Sequence, residues 1–232
     1  RKSSLKLLLT TIIFLGLLSL SMIQSRASFI AVGLLTIGYS IWQIIIYLKH
    51  TKSTKSLLSI GYIIIPLLLA ISINQTVIAS KGADALSRAA TISLSTNDGS
   101  VNQRLRYYED VLTHLTSNPI IGTGLGNWKL KSIDYDSKDI NGYVVPYHAH
   151  SDFIQLGAEL GIIGFLLYLG VFLCAVYYVF IFIRHSKSSV EEKTFVFLLL
   201  VALGVYFVDA NLNFPIARPQ VLVVWAAIMA LI

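Results

Sequence analysis

Apolar residues in this chain gather in blocks about as long as a membrane is thick. Nearly continuous blocks occupy residues 5–23, 27–48, 57–78, 154–183 and 194–208, and a sixth begins at Gln220. About 20 apolar residues in helical conformation cross the hydrocarbon core of a bilayer. A helix satisfies its own backbone there without water. The pattern therefore predicts an all-α, polytopic integral membrane protein. It has about six transmembrane helices: three over 1–78, three over 154–232 with the last one cut short, and a long polar loop over 79–153. The first block is too long, and lacks the small-residue cleavage site, for a secretory signal. A start at Arg1 rather than Met suggests a fragment.

Within the loop, 80–100 is rich in small polar residues, and 101–117 reads as a helix stopped by Asn118-Pro119. Residues 120–126 form a glycine-punctuated turn, and 134–142 are polar and irregular.

Composition sharpens this picture. Of 232 residues, 55% are hydrophobic and 13% charged, and the mean hydropathy is +0.72. The net charge of +6 does not point to nucleic acid, because much of it lies in short basic turns. Arg1, Lys2, Lys6, Lys49, Lys52, Lys55, Arg184, Lys187 and Lys193 fall on one side of the expected topology. The short loops opposite hold only Arg26 and Arg218. Short cytoplasmic loops collect Lys and Arg, so the long loop is expected outside the cytoplasm. Cys174 is the sole cysteine, which excludes an intrachain disulfide.

Candidate chemistry clusters on the outer side. At 100° per residue, Arg104 falls on an apolar stripe with Val101, Leu105, Tyr108, Val111, Leu112 and Leu115. Arg106 falls on the wet face with Glu109, Asp110 and Thr113. Arg104 is either a snorkelling anchor or a ligand-binding cation; Arg106 reads as a solvated partner of Asp110. His148 and His150 lie just before the fourth block. They suit a proton acceptor, an interfacial polar cap, or a metal pair needing a third ligand from Asp152, Glu159 or His114. Arg26 and Arg218 sit between closely spaced spans. Several arginines on one membrane face suit a diphosphate, whose oxygens match the guanidinium fork. Gly122-Thr123-Gly124-Leu125-Gly126 reads as a tight turn, since no strand precedes it as a nucleotide fingerprint requires.

Four motifs together resemble the O-antigen ligase and polymerase family. They are Ser25-Arg26-Ala27 opening a span, Arg104-Leu105-x-x-Tyr108 opening an outer helix, the run from Asn118-Pro119 to Asn127-Trp128, and His150-Ser151 followed by Gly161-Ile162-Ile163-Gly164. The resemblance covers 25–164, with Phe214-Pro215 as a softer echo. At Tyr108 the family more often has Trp. Members have about twice as many spans, so the chain resembles the C-terminal half of their transmembrane region, with a GT-C-like fold.

The resemblance implies a metal-independent, inverting glycosyltransferase of the bacterial inner membrane, with its active site on the periplasmic face and no cofactor. It implies a glycan donor linked to undecaprenyl diphosphate, and an acceptor that is lipid A–core, another glycan or a protein. His150 would be the general base, Arg26 and Arg104 would hold the diphosphate, and Arg218, His148 and Arg106 would be accessory. A transporter of a lipid or anion is the reading from another class, but its spans would carry charges and broken helices. Apart from Lys6 at the edge of the first block, only Glu159 stands inside one here.

Overall fold

A computed structural model describes residues 2–23, 25–78, 99–135, 147–185 and 187–232. Of the loop 79–153, residues 79–98 and 136–146 lie outside the described residues. The expectations for 80–100 and 134–142 fall largely there.

Every regular element among the described residues is helical. The helices are α1 (Lys2–Ile23), α2 (Arg26–Ile46), α3 (Thr54–Ile78), α4 (Gly99–Ser117), α5 (Trp128–Lys131), α6 (Asp152–His185), α7 (Val190–Leu212) and α8 (Pro219–Leu231). Five helices are long and apolar enough to cross a membrane: α1, α2, α3, α6 and α7. The expected sixth span is an apolar helix of 13 residues, short of the roughly 20 a crossing needs. Large apolar side chains such as Leu7, Leu58, Leu68, Leu167 and Val223 point outward. Such exposure suits a helix whose solvent is lipid.

Two compact units divide the chain. The first holds α1, α2, α3 and α7 up to Val205. Lipid tails are as apolar as leucine, so polar contacts between helices contribute to association there. Buried Asn74 on α3 donates to the Ser21 carbonyl of α1 at 3.0 Å. The Tyr39 hydroxyl of α2 donates to Ser59 Oγ of α3 at 3.1 Å. Trp42 of α2 donates through Nε1 to Thr194 Oγ1 of α7 at 3.0 Å and stacks on Phe197 at 4.5 Å.

The second unit holds α4, α5, α6, α7 from Tyr206 onward, and α8. Phe153 of α6 anchors an aromatic cluster, with Tyr168 at 4.8 Å, Phe207 at 5.2 Å and Phe172 at 5.6 Å between ring centroids.

Two local expectations need correction. The fourth block is not a continuous span: α6 breaks at Gly161 (φ 68°, ψ −168°). Residues 152–160 form a short helix ahead of the break, and 162–185 alone are long enough to cross. The phase of α4 is also rotated from the apolar stripe. Tyr107, Val111 and His114 are buried, with Arg104, Tyr108 and Leu115 partly buried beside them. Leu105 and Leu112 are 46% and 59% exposed. Arg106 and Asp110 are half-buried rather than fully solvated. Counting apolar side chains misjudged the phase because Tyr107 and His114 pack through their rings, while the two leucines face away from the protein.

Candidate active site

The glycine-rich turn and the break in α6 are two halves of one backbone arrangement. Asn118-Pro119 ends α4, and the chain turns back through Gly122 (φ 68°). In an unbroken helix the Ala158 carbonyl would accept from the Ile162 N–H. At Gly161 that ladder opens. The Ile162 N–H instead donates to the Pro119 carbonyl at 2.9 Å, Thr123 N–H donates to Ala158 O at 3.1 Å, and Gly124 N–H to Glu159 O at 2.7 Å. A Cβ on Gly122 would lie 2.5 Å from Ala158 O, and one on Gly161 2.1 Å from Ile120 O. Only glycine permits backbones this close.

Glu159 completes the joint. Its carboxylate accepts from Gly126 N–H at 2.8 Å, from Trp128 N–H at 3.4 Å and from Gln155 Nε2 at 3.3 Å. The residue is 3% exposed, and three donors satisfy its charge, as a buried carboxylate requires. Its sequence signal was a lone carboxylate in an apolar block, a feature that demands a partner.

Residues 147–151 lead from this joint into the start of α6. The Ser151 side chain accepts from Ile154 N–H at 3.4 Å and so caps the helix. His150 just before it has φ 56°. Positive φ is uncommon for a side chain with a Cβ, though His, Asn and Asp adopt it more readily than most, and strain of this kind gathers at functional sites.

Phe214, from the segment after α7, holds both histidines. Its ring stacks on His148 at 4.2 Å and meets His150 edge-on at 5.3 Å. Arg218 lies over the same ring at 4.9 Å. Asp152 ties this segment to α6 by accepting from Ile216 N–H at 3.0 Å.

Helix α4 supplies the opposite wall. Tyr107 stacks on His150 at 5.9 Å. Tyr108 points its hydroxyl at the His150 carbonyl (3.3 Å) and the Asn211 carbonyl (3.1 Å). Burial raises the Tyr108 pKa, against the Arg104 charge and a Ser151 contact, so the phenol stays a donor at neutral pH. Burial lowers the His150 pKa, and the charges of Arg104 and His148 lower it further. The imidazole is therefore neutral at pH 7 and able to accept a proton.

The structure thus brings His148, His150, Arg104 and Arg218 into one unit. Arg106 shares α4 with Arg104. Arg26 opens α2 in the other unit.

The candidate third metal ligands are engaged elsewhere. His114 is buried, with Nδ1 2.9 Å from the Tyr135 hydroxyl and Trp128 beside its ring. Asp152 and Glu159 hold backbone N–H groups. Among the described residues, no three His, Cys, Asp or Glu side chains gather as a metal site.

Two cavities flank the glycine turn. One of about 360 Å³ is lined by His114, Asn118, Thr123, Asn127 and Lys131 among others. The other, about 350 Å³, is lined by Tyr147, His148, Asp152, Gln155, Glu159 and the Ile216-Ala217 turn among others.

Comparison with known proteins places the motifs in context. A "Putative polysaccharide ligase" of Rickettsia conorii is 35% identical over 102 residues, covering 41% of this chain and 22% of that protein. One of Rickettsia felis is 35% identical over 94 residues, covering 39% and 22%. The matched segments thus span about a fifth of the length of these relatives. No solved structure matches. The family described as O-antigen ligase matches residues 11–169, a stretch that includes Arg26, Arg104, the glycine turn, His150 and the break at Gly161, and the chain belongs to that family.

Proposed function

We propose that this protein transfers a glycan from undecaprenyl diphosphate to an acceptor hydroxyl at the periplasmic face of the bacterial inner membrane. The carrying observation is the half-buried His150, held at φ 56° between the rings of Tyr107 and Phe214, with the charge of Arg104 near enough to lower its pKa. That arrangement sets a fixed cation near a neutral proton acceptor. His150 takes the proton of the acceptor hydroxyl as its oxygen attacks the anomeric carbon. The bond from that carbon to the phosphate oxygen breaks, and the diphosphate leaves with the electron pair, so configuration inverts. Arg104 and Arg26 hold the diphosphate and offset the charge developing on it. Diphosphate is already a good leaving group, so neither a carboxylic acid pair nor a metal is needed. Arg218, His148 and Arg106 are accessory.

The acceptor is lipid A–core in the ligase reading; a growing glycan or a protein would make it a polymerase or a protein glycosyltransferase. The helix break at Gly161 does not favour a transporter, because the backbone groups freed there are taken up by the 119–124 segment.

Transfer from a purified lipid-diphosphate-linked glycan, in the presence of a chelator, tests the reading; no transfer to any of these acceptors by the full-length protein would overturn it. Within that assay, Arg104→Lys is expected to cost roughly tenfold or more in kcat/KM although charge is kept, since the bidentate fork is lost. Arg106→Ala should cost much less. Full activity of Arg104→Lys would reduce Arg104 to a snorkelling anchor.

The pH profile gives a further check. A base must be neutral to act, so activity is lost as pH falls through the His150 pKa. That acid limb should lie below 6.5, the ordinary histidine value. Replacing Arg104 by Gln removes a charge that opposes protonation, and should move the limb upward. A limb at or above 6.5 in the parent would separate the titrating group from His150.

A further inference from the structure

We infer that the 350 Å³ cavity beside His148 is the subsite for the acceptor sugar, an inference that rests on the transfer reaction proposed above. Its volume is that of a small-molecule site, and its lining suits a neutral polyol. Leu156, Ile216 and Ala217 form an apolar wall. Tyr147, 56% exposed, offers an aromatic face to the C–H side of a pyranose. Lys129 shares the lining with the carboxyls of Asp152 and Glu159, and no arginine is among the described residues that line it.

Hydrogen bonding fixes what His148 offers. Gln155 Oε1 accepts from Ala149 N–H at 3.3 Å, and its Nε2 donates to Glu159 at 3.3 Å. The amide oxygen therefore faces His148 Nδ1, also at 3.3 Å, so Nδ1 must carry the proton. Nε2 is left as an acceptor, the partner a sugar hydroxyl needs. Asp152 is engaged within the protein: it accepts from Ile216 N–H, and its buried carboxyl also interacts with the Tyr168 hydroxyl. Phe214, in contact with both histidines, sets a sugar held at His148 one ring away from His150.

The test is saturation-transfer NMR on the full-length protein in nanodiscs, with a panel of methyl hexosides and methyl heptosides as probes. At least one is expected to show transfer from the parent. His148→Ala should weaken it about fivefold, the worth of one hydrogen bond. Ala217→Trp, which fills the cavity, should abolish it while the melting temperature is kept. A parent that binds none of the panel, or an undiminished signal in both variants, overturns the inference. If Ala217→Trp does not fold, His148→Ala decides alone. Glycan transfer from the lipid donor, run on the same preparation, is scored separately. Sugar binding without transfer would sink the transferase reading, whereas transfer without sugar binding would sink only this subsite.

Discussion

Changing His150 to asparagine is expected to lower kcat for glycan transfer by about 100-fold or more, the usual worth of a positioned general base. Asparagine is chosen because it tolerates the positive φ that His150 adopts (56°), which alanine does less well. The loss then reports the missing proton acceptor rather than a strained loop. Tyr108 should still reach the backbone carbonyl at 150, since that bond does not involve the imidazole. His148→Ala should lose far less at saturating acceptor, because its ring holds a hydroxyl rather than taking its proton. Equal loss at both histidines, with recovery on adding zinc, would point to a metal pair instead.

The largest structural effect is expected at Gly161. Its backbone (φ 68°, ψ −168°) lies in a region essentially reserved for glycine, where strain alone costs about 1–3 kcal/mol for another residue. An alanine there also drives its Cβ to 2.1 Å from the Ile120 carbonyl oxygen. Both partners are backbone, so no side chain can swing aside. Relief requires parting the 119–124 turn from α6, which breaks the Ile162–Pro119, Thr123–Ala158 and Gly124–Glu159 hydrogen bonds together. Gly161→Ala should therefore give little monodisperse protein after detergent extraction, with a clearly lowered melting temperature and no transfer. Gly122→Ala should behave alike, since its Cβ meets Ala158 O at 2.5 Å. Gly170→Ala is the control: nothing lies within 4 Å of a Cβ there, and parent-like stability is expected. A Gly161→Ala protein with the parent's melting temperature would show that the break in α6 is not needed for the fold.

The two predictions differ in how far the sequence anticipated them. His150 is a candidate that the sequence names: its place at the mouth of an apolar block leaves a base, a polar cap or a metal pair open, and the family motif singles it out from His148. Gly161 was read only as part of a motif, and the fourth block as one helix. An apolar run looks the same whether or not its hydrogen-bond ladder is interrupted. The partner that makes the interruption tolerable lies some forty residues earlier, in the glycine turn.

That difference generalises to the whole chain. The existence and approximate places of the five long apolar helices follow from sequence alone, because lipid imposes a local rule: enough apolar length, with backbone groups satisfied within the helix. The stop of α4 at Asn118-Pro119 is local in the same sense. Tertiary structure alone decided the rest. It set the phase of α4, where Tyr107 and His114 turn inward in place of two leucines. It gave Glu159 its three donors at the turn, and it set Phe214 against both histidines. Each of these is a choice among partners far apart in the chain, made by rings that must stack and buried polar atoms that must be satisfied, and no periodicity along the chain records it.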